Sequence, residues 1–172
     1  MTLNAASRLL VTPGQIEDAD FKGPLEQTGY WGKRCAGCII LSSSSNKFLI
    51  PLRSPEVDDP NCWGTWGGAI DGNENPATSV RRENREENGY TGVSRLYPLL
   101  VFSDPDSGMV YHNYLMIIPQ EFKPVLNWET SDAQWFDWGH FPSPLHPGLQ
   151  ALLDDKWSVQ TIEHHMNLHF GT

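Results

Sequence analysis

Two blocks of sequence, GAIDGNE at residues 68–74 and RENREENGY at residues 82–90, stand seven residues apart. Between them, Asn73 to Asn75 offer N-terminal capping residues, and Pro76 suits the first turn of a helix. Gly89 is typical of the left-handed residue that ends a helix. The pattern therefore predicts a glycine-rich loop, a helix of about a dozen residues and a second loop.

Three glutamates fall on one face of this predicted helix. At about 100° per residue, Glu83, Glu86 and Glu87 lie within an arc of about 100°. Like charges at these spacings destabilise a helix by a few tenths of a kcal/mol per pair. A solvated acidic face is one interpretation. The other is a site for a hard divalent cation, with Mg²⁺ as the first choice and Mn²⁺ as a substitute, because all the side-chain donors are oxygens.

The rest of the chain alternates apolar runs with turn residues, which predicts two hairpins, a further strand and a C-terminal helix. We expect a mixed sheet in an α/β layered domain, with residues 1–33 as an irregular arm that holds one short helix at most. The domain then spans residues 34–172. The predicted strands are 35–41, 47–52, 96–102, 109–118 and 134–138, the loop before the first helix is 63–72, and the second helix runs from Gly148 to about His165.

The composition excludes several classes of protein. A chain of 172 residues with 39% hydrophobic residues supports one folded domain. Its net charge of −9 disfavours long nucleic acid as a partner. There is no apolar run of about 18 residues and no secretory signal, and the three cysteines are too few for a disulfide framework, so we expect a cytoplasmic protein that does not cross a membrane.

The spacing of the two blocks resembles the signature of the Nudix hydrolase superfamily, Gly-x5-Glu-x7-Arg-Glu-U-x-Glu-Glu-x-Gly-U, where U is a bulky apolar residue. Tyr90 is acceptable at the second U position, whereas Asn84 departs from the pattern at the first. The resemblance extends roughly from Cys35 to Leu153. All seven fixed positions are occupied, by Gly68, Glu74, Arg82, Glu83, Glu86, Glu87 and Gly89.

The resemblance implies an α/β/α sandwich in which the signature forms a loop–helix–loop at the edge of a mixed sheet. It also implies Mg²⁺-dependent hydrolysis of a nucleoside diphosphate linked to another group, NDP-X, which releases a nucleotide monophosphate or another phosphate-containing product. By the same resemblance, Arg82 and Glu74 orient the carboxylates. The implied metal ligands are Glu83, Glu86 and Glu87, with the carbonyl of Gly67 or Gly68 as a further ligand.

The general base is left open by the resemblance. In some relatives it is the glutamate at the position of Glu83, and in others it is an acid on a loop outside the signature. Glu129 is the stronger loop candidate here, and Asp132 is the weaker one. Arg53, at the end of the first hairpin, either contacts a substrate phosphate or is a solvated strand end.

Several aromatic and metal-binding residue types lie outside the signature. One or two of the aromatic side chains are expected to stack on a substrate base. Cys35 and Cys38 point to opposite faces of a strand and are not expected to share a zinc ion. His112 is expected to be a core or surface residue, and the C-terminal histidines are expected to be surface residues. The aromatic candidates are Trp63, Trp66, Tyr111, Tyr114, Trp128 and Trp135, and the C-terminal histidines are His164, His165 and His169.

Two other functions fit the same fold. One is a binding module without turnover, which the complete glutamate set disfavours. The other is diphosphate isomerisation, for which Cys62 is the nearby thiol. The expected partner is a small nucleoside diphosphate, and the seven tryptophans are compatible with a homodimer. The group X is recognised by residues outside the signature, so the signature does not define it.

Overall fold

A computed structural model of the chain describes residues 9–11 and 34–170. These residues form seven strands and three helices, in an order that confirms both predicted hairpins and the predicted mixed class. The elements are β1 (Leu9–Val11), β2 (Arg34–Ser42), β3 (Lys47–Arg53), β4 (Trp66–Ala69), α1 (Pro76–Glu87), β5 (Arg95–Asp104), β6 (Met109–Ile118), β7 (Thr130–Asp137), α2 (Pro147–Asp154) and α3 (Lys156–Phe170).

The strands of the described residues form one mixed sheet. Its order is β1-β5-β6-β2-β3-β7, and β4 pairs with β2 beside this path. β2 and β6 are parallel, whereas the other pairs are antiparallel. β2 pairs with β4 through residues 35–38 and with β3 through residues 40–42. Since one strand serves both neighbours in succession, β4 and the loop before α1 are held at the N-terminal end of β2.

Helices cover both faces of the sheet. Along β2, Cys38 and Ile40 pack in one apolar cluster with Val80 of α1. The alternate residues Ile39 and Leu41 pack in a second cluster, which includes side chains of α2 and α3. This alternation follows from the two-residue period of a strand. The result is the α/β/α sandwich that the family resemblance implies.

The ends of α1 lie where the local sequence places them. The Asn75 side chain accepts a hydrogen bond of 2.8 Å from the backbone N–H of Ala77, and Pro76 occupies the first turn. Asn88 is the C-cap, and Gly89 follows with a φ of +78°. The helix is therefore bounded at both ends by residues whose conformational preferences favour those positions.

Asn84, which departs from the signature, is buried and hydrogen-bonded. Its Nδ2 donates to the Val80 carbonyl at 2.7 Å and to Cys38 Sγ at 3.3 Å. Its Oδ1 accepts a 2.8 Å bond from Asn88 Nδ2, and Asn88 Oδ1 accepts from the Tyr90 N–H. A polar side chain is tolerated at this apolar position because both ends of its amide have partners.

Four details differ from the sequence prediction. The glycine-rich segment expected to be a loop contains strand β4, and β7 begins at Thr130 rather than at residue 134. The single C-terminal helix is two helices, because Asp155 ends α2 and its carboxylate accepts a hydrogen bond from the Ser158 N–H in the first turn of α3. Leu9–Val11, within the predicted irregular arm, pairs with β5.

The short helix predicted in residues 1–33 lies outside the described residues. Among the helices that the structure does describe, none combines the length and the apolar character needed to span a membrane.

Candidate active site

Arg82 is the centre of an ionic cluster on α1. Its Nε and Nη2 lie 3.1 Å and 3.0 Å from the two carboxylate oxygens of Glu74. Nη1 donates to Glu83 Oε1 at 2.9 Å, and Nη2 also donates to the Ala69 carbonyl at 2.9 Å. A planar guanidinium can make these bonds at once, whereas an ammonium group cannot. Arg82 therefore joins the glycine loop, the end of β4 and two glutamates of the acidic face, Glu83 and Glu86.

Glu83 and Glu87 pack against the backbone of two glycines in β4. The Gly67 N–H donates to Glu87 Oε2 at 2.9 Å. A Cβ atom on Gly68 would lie 2.9 Å from Glu83 Oε1, so only glycine leaves room for that carboxylate. Gly67 has a φ of +147°, a backbone angle that residues other than glycine rarely adopt. The paired glycines thus allow two carboxylates to approach the same stretch of backbone.

The two carboxylates are buried without enough positive charge. Burial is the main cause that raises the pKa of Glu87 to about 9; the charges of Glu83 and Glu129 act in the same direction, and the hydrogen bond from Gly67 opposes them. Burial also raises the pKa of Glu83, although Arg82 opposes this. In contrast, the hydrogen bonds from Arg82 hold the pKa of Glu74 below its usual value. A cation next to Glu83 and Glu87 would stabilise their ionised forms.

Glu86 is more exposed than this pair. Its side chain is 55% exposed, and its carboxylate contacts Arg82 Nη1 at 3.3 Å. Across residues 9–11 and 34–170, no three acidic, histidine or cysteine side chains form a preassembled metal site. The structure therefore buries two of the three predicted ligands and leaves the third more exposed, where it shares Arg82 Nη1 with Glu83.

The donor chemistry nevertheless fits the expected metal. Carboxylate oxygens are the ligand type that Mg²⁺ takes, together with water and substrate phosphate. The raised pKa values of Glu83 and Glu87 agree, because they mark a place that lacks positive charge.

A cavity of about 620 Å³ begins at these glycines. Three of the predicted binding residues line it: Arg53, Gly67 and Gly68. The guanidinium of Arg53 donates from Nε to the carbonyls of Asp58 and Asp59 at 3.1 Å, and Nη2 also contacts the Asp58 carbonyl. Arg53 is therefore more than a solvated strand end, because it holds the 54–59 loop at the cavity wall.

Of the two loop acids considered as the base, Glu129 lines the cavity. Its charge also raises the pKa values of Glu83 and Glu87. Asp132 is absent from the cavity wall, and its oxygens accept bonds from the Ala133 N–H and from Gln134 Nε2. The geometry favours Glu129 over Asp132.

His146 is a cavity residue that the sequence did not indicate. Its Nδ1 accepts a hydrogen bond of 2.9 Å from the Gly148 N–H at the start of α2, and its Nε2 lies 3.5 Å from Asp59 Oδ2. Burial lowers the pKa of His146 to about 4, and the nearby charge of Arg53 acts in the same direction. The local signal was a polar residue before Pro147, which marks a helix start. That signal could not indicate the contact of His146 with Asp59, which lies 87 positions earlier in the chain.

Most of the other predicted residues are structural. Of the six aromatic candidates only Tyr111 and Trp128 line the cavity. The Tyr111 hydroxyl is buried against Thr65, whereas Trp128 is 66% exposed.

The cysteines do not share a site. Cys38 is fully buried, and burial raises its pKa to about 12, whereas Cys35 lines the cavity. Cys62 Sγ donates to the Asp59 carbonyl.

The C-terminal histidines that the structure describes do not form a metal site. The rings of His164 and His165 are in edge contact, and the His165 ring also lies 3.8 Å from that of Tyr97. The side chain of His169 lies outside the described residues. The expected absence of a dedicated metal site at these histidines remains a prediction.

Comparison with known proteins gives one family and one fold. A family model described as the NUDIX domain matches residues 32–155. No curated protein is matched. A Nudix hydrolase, RenU, from M. smegmatis is 20% identical over 80% of this chain and 89% of its own, with a TM-score of 0.63.

Two further solved structures share the fold. A NUDIX hydrolase from Nitrosomonas europaea is 18% identical over 83% of this chain and 75% of its own, with a TM-score of 0.59. A MutT NUDIX hydrolase from Burkholderia pseudomallei is 21% identical over 69% of this chain and 94% of its own, with a TM-score of 0.54. At these identities the likeness concerns the fold, while the family model covers most of the chain. The chain thus belongs to the Nudix family and is an enzyme of the pyrophosphohydrolase class.

Proposed function

We propose that this enzyme hydrolyses a diphosphate linkage in a nucleoside diphosphate derivative, NDP-X, and that it uses Mg²⁺, with Mn²⁺ as a substitute. Nudix hydrolases generally use divalent metal ions. One observation carries the proposal: the carboxylates of Glu83 and Glu87 pack against Gly67 and Gly68, where a substrate-sized cavity begins. Buried like charges beside a cavity are suited to bind a cation together with a phosphate group.

Each residue of the cluster has a role in this proposal. Glu83, Glu86, Glu87 and the Gly68 carbonyl would hold the metal. When bound, Mg²⁺ supplies positive charge for the diphosphate and for the charge that develops on it during hydrolysis. Arg82 orients Glu83 through a 2.9 Å hydrogen bond and is itself oriented by Glu74. Glu86 is the most exposed of the three glutamates and can change its rotamer without repacking the core.

For the proton transfer we propose Glu129 as the general base, with Glu83 as the alternative. The carboxylate accepts a proton from water while the water oxygen forms a bond to one phosphorus. The bridging P–O bond breaks, and the leaving phosphate keeps the electron pair. The products are a nucleotide monophosphate and a second phosphate-containing product. Glu129 is supported by its place on the cavity wall and by its electrostatic effect on both buried glutamates.

The test is turnover of NDP-X compounds by the full chain with Mg²⁺, followed by chromatography of the products. We expect a nucleotide monophosphate, loss of turnover with a chelator, and recovery with Mg²⁺ or Mn²⁺. Reaction in ¹⁸O-labelled water identifies which phosphorus is attacked. Binding of NDP-X without any product would instead favour the binding module. Turnover that persists in the presence of the chelator would contradict metal dependence.

The assignment of the base has its own measurement. Glu129→Gln should lower kcat, whereas Asp132→Asn should leave kcat unchanged. An unaltered kcat in Glu129→Gln would assign the base to Glu83.

We also propose that the substrate is a small molecule and that the protein is cytoplasmic. These proposals, and a homodimer, rest on the charge, the cysteine count and the tryptophan content. Fractionation of the source cells and size-exclusion chromatography are the corresponding measurements.

A further inference from the structure

We propose that Asn113 is a specificity-determining residue, whose side-chain oxygen accepts a hydrogen bond from the substrate substituent that lies in the cavity. The chemistry that it selects is a hydrogen-bond donor on a ring, either an N–H group of a nucleobase or a hydroxyl group of a sugar. The inference rests on the proposed function, because it takes the diphosphate to lie at Glu83 and Glu87. It does not depend on which end of the substrate enters the cavity.

Asn113 lies on the floor of the cavity, which is formed by three neighbouring strands of the sheet. Residues 109, 111 and 113 of β6 point to one face, because side chains alternate along a strand. Cys35 of β2 and Phe102 of β5 are the register partners of Tyr111, so their side chains share that face. The side chains that line the floor are Cys35, Phe102, Met109, Tyr111 and Asn113. Asn113 is thus a polar side chain among mainly apolar and aromatic neighbours.

One end of the Asn113 amide is bonded to the backbone of the neighbouring strand. Its Nδ2 donates a hydrogen bond of 2.9 Å to the Leu100 carbonyl. The register between β5 and β6 is irregular at residues 98–101, so this bond replaces one that the sheet does not make there. A carbonyl group only accepts hydrogen bonds, so the nitrogen of the amide must face Leu100. This bond fixes the orientation of the side chain.

The oxygen of the same amide is available to a ligand. Asn113 is only 6% exposed, and no group within residues 9–11 and 34–170 donates a hydrogen bond to its Oδ1. A buried amide oxygen without a donor carries a cost in free energy. Because Asn113 lines the cavity, a ligand in the cavity can supply the donor. The bond to Leu100 explains the position of Nδ2, whereas the position of Oδ1 is explained by recognition of a ligand.

The register of the sheet relates Asn113 to the buried glutamates. Gly67 of β4 pairs with Gly37 of β2, and Gly37 pairs with Asn113 of β6. Neighbouring strands are about 4.8 Å apart, so Gly67 and Asn113 lie in one row about 10 Å apart. The Gly67 N–H donates to Glu87 at one end of this row. A substrate whose diphosphate lies at Glu87 can therefore reach Asn113 with one of its two substituents.

The experiment compares ligands that differ by one hydrogen-bond donor. The base arm pairs ADP-ribose with its analogue without the adenine amino group, and GDP-mannose with its hypoxanthine analogue. The sugar arm pairs UDP-glucose with its 2-deoxy and 6-deoxy analogues. Kd and kcat/KM are measured with the full chain and Mg²⁺, and we expect at least one pair to favour the donor-bearing compound by about tenfold or more. The arm that contains this pair identifies the group at Asn113.

Variants assign the preference to the Asn113 oxygen. Asn113→Leu removes the acceptor at similar side-chain size, and we expect the preference to fall to about threefold or less. Asn113→Asp keeps an acceptor and should keep the preference. Ser158→Ala is the matched structural control, because Ser158 Oγ accepts a 3.0 Å bond from the Leu100 N–H at the same irregularity but does not line the cavity. It should lower stability and leave the preference unchanged. A preference that survives in Asn113→Leu, or falls equally in Ser158→Ala, would overturn the inference.

A spectroscopic measurement on the unaltered protein covers the case in which Asn113→Leu does not fold. The ¹³C chemical shift of the Asn113 side-chain carbonyl reports hydrogen bonding at Oδ1. It should change when the donor-bearing ligand binds and should change less with the analogue. Equal changes for both ligands would overturn the inference.

Binding and turnover separate this inference from the proposed function. A preference in Kd that is lost in Asn113→Leu, without hydrolysis of any compound, would support the inference and contradict the proposed function. Hydrolysis without a preference in any pair would overturn the inference and leave the proposed function intact. Failure of all the compounds to bind would overturn both.

Discussion

Polar side chains are buried on two sides of helix α1, and the two sets differ in their hydrogen bonding and charge. On the side that faces the core, Asn84 and Asn88 are fully buried, and their amides bond to each other and to the backbone. On the side that faces β4, Glu83 and Glu87 are almost as buried, and burial raises both of their pKa values. The first set is complete within the protein, whereas in the second Arg82 offsets only part of the burial of Glu83, and Glu87 bonds the Gly67 N–H.

This contrast separates a structural role from a functional one. A buried polar network that satisfies all of its members stabilises one packing arrangement. A buried pair of like charges destabilises the fold unless another group neutralises it, and such pairs occur at functional sites. The amide side of α1 should therefore govern stability, and the carboxylate side should govern metal binding and turnover.

The largest expected effect is on the carboxylate side. Glu87→Gln keeps an oxygen that can accept the Gly67 hydrogen bond but removes the charge, so we expect kcat to fall by roughly 10²–10³-fold while the protein stays folded. Glu86→Gln should also reduce turnover by orders of magnitude if Glu86 joins the metal site. Steady-state kinetics and thermal unfolding measure both effects. Near-normal turnover in either variant, relative to Glu121→Gln, would remove that residue from the ligand set.

A smaller effect on turnover is expected for Arg82→Lys. The lysine keeps the charge but cannot bond Glu74, Glu83 and the Ala69 carbonyl together, so we expect kcat to fall by roughly 10–100-fold. Arg85→Lys, on the exposed side of the same helix, is the control and should be unchanged. If the two variants behave alike, the bidentate geometry of Arg82 has no role in positioning Glu83.

On the amide side, Asn84→Leu introduces the apolar residue that is usual in the signature. We expect a loss of about 1–3 kcal/mol in the free energy of unfolding, because Asn88 Nδ2 loses its acceptor in a buried place. Asn73→Leu, at an exposed position, should change stability by no more than about 0.5 kcal/mol. Urea unfolding gives both values. A rise in stability in Asn84→Leu would show that the network is not needed.

A separate prediction concerns the pH dependence of stability without metal. The pKa of Glu87 is about 9 in the folded state against an ordinary value of 4.5, so the native state retains a proton that the unfolded chain releases between these values. The free energy of unfolding should therefore fall as pH rises through this window, by at most about 1.4 kcal/mol per pH unit. Glu83 acts in the same direction.

Two comparisons isolate this slope. Glu87→Gln should show a weaker pH dependence, and saturating Mg²⁺ should also weaken it, because the ion replaces the proton. The slope is measured by urea unfolding with and without a chelator. An identical slope in Glu87→Gln would assign the pH dependence to other groups.

The accuracy of the sequence prediction depended on how local each signal was. The limits of α1 were predictable because Asn75, Pro76 and Gly89 act within one turn of the helix. Strand β4 was missed because glycine-rich segments have low strand propensity, and this one is a strand through its pairing with β2. The break at Asp155 was missed because the apolar spacing continues on both sides of it.

The site residues also differ in whether a local sequence signal could identify them. The glutamates and Arg82 lie on one helix, so their spacing was visible in the sequence. The sequence could not distinguish the exposed Glu86 from the buried Glu83 and Glu87, because burial depends on the approach of β4. His146 and Asp59 meet across 87 positions, and nothing near either residue indicates the other.

The sequence by itself therefore determined helix α1, its acidic face and the family, because caps, periodicity and spacing are short-range properties. Only the tertiary structure decided which carboxylates lack compensating charge and which residues form the cavity wall. The physical reason is that solvation and electrostatic balance depend on neighbours in space, and those neighbours come from β4, the 54–59 loop and the start of α2.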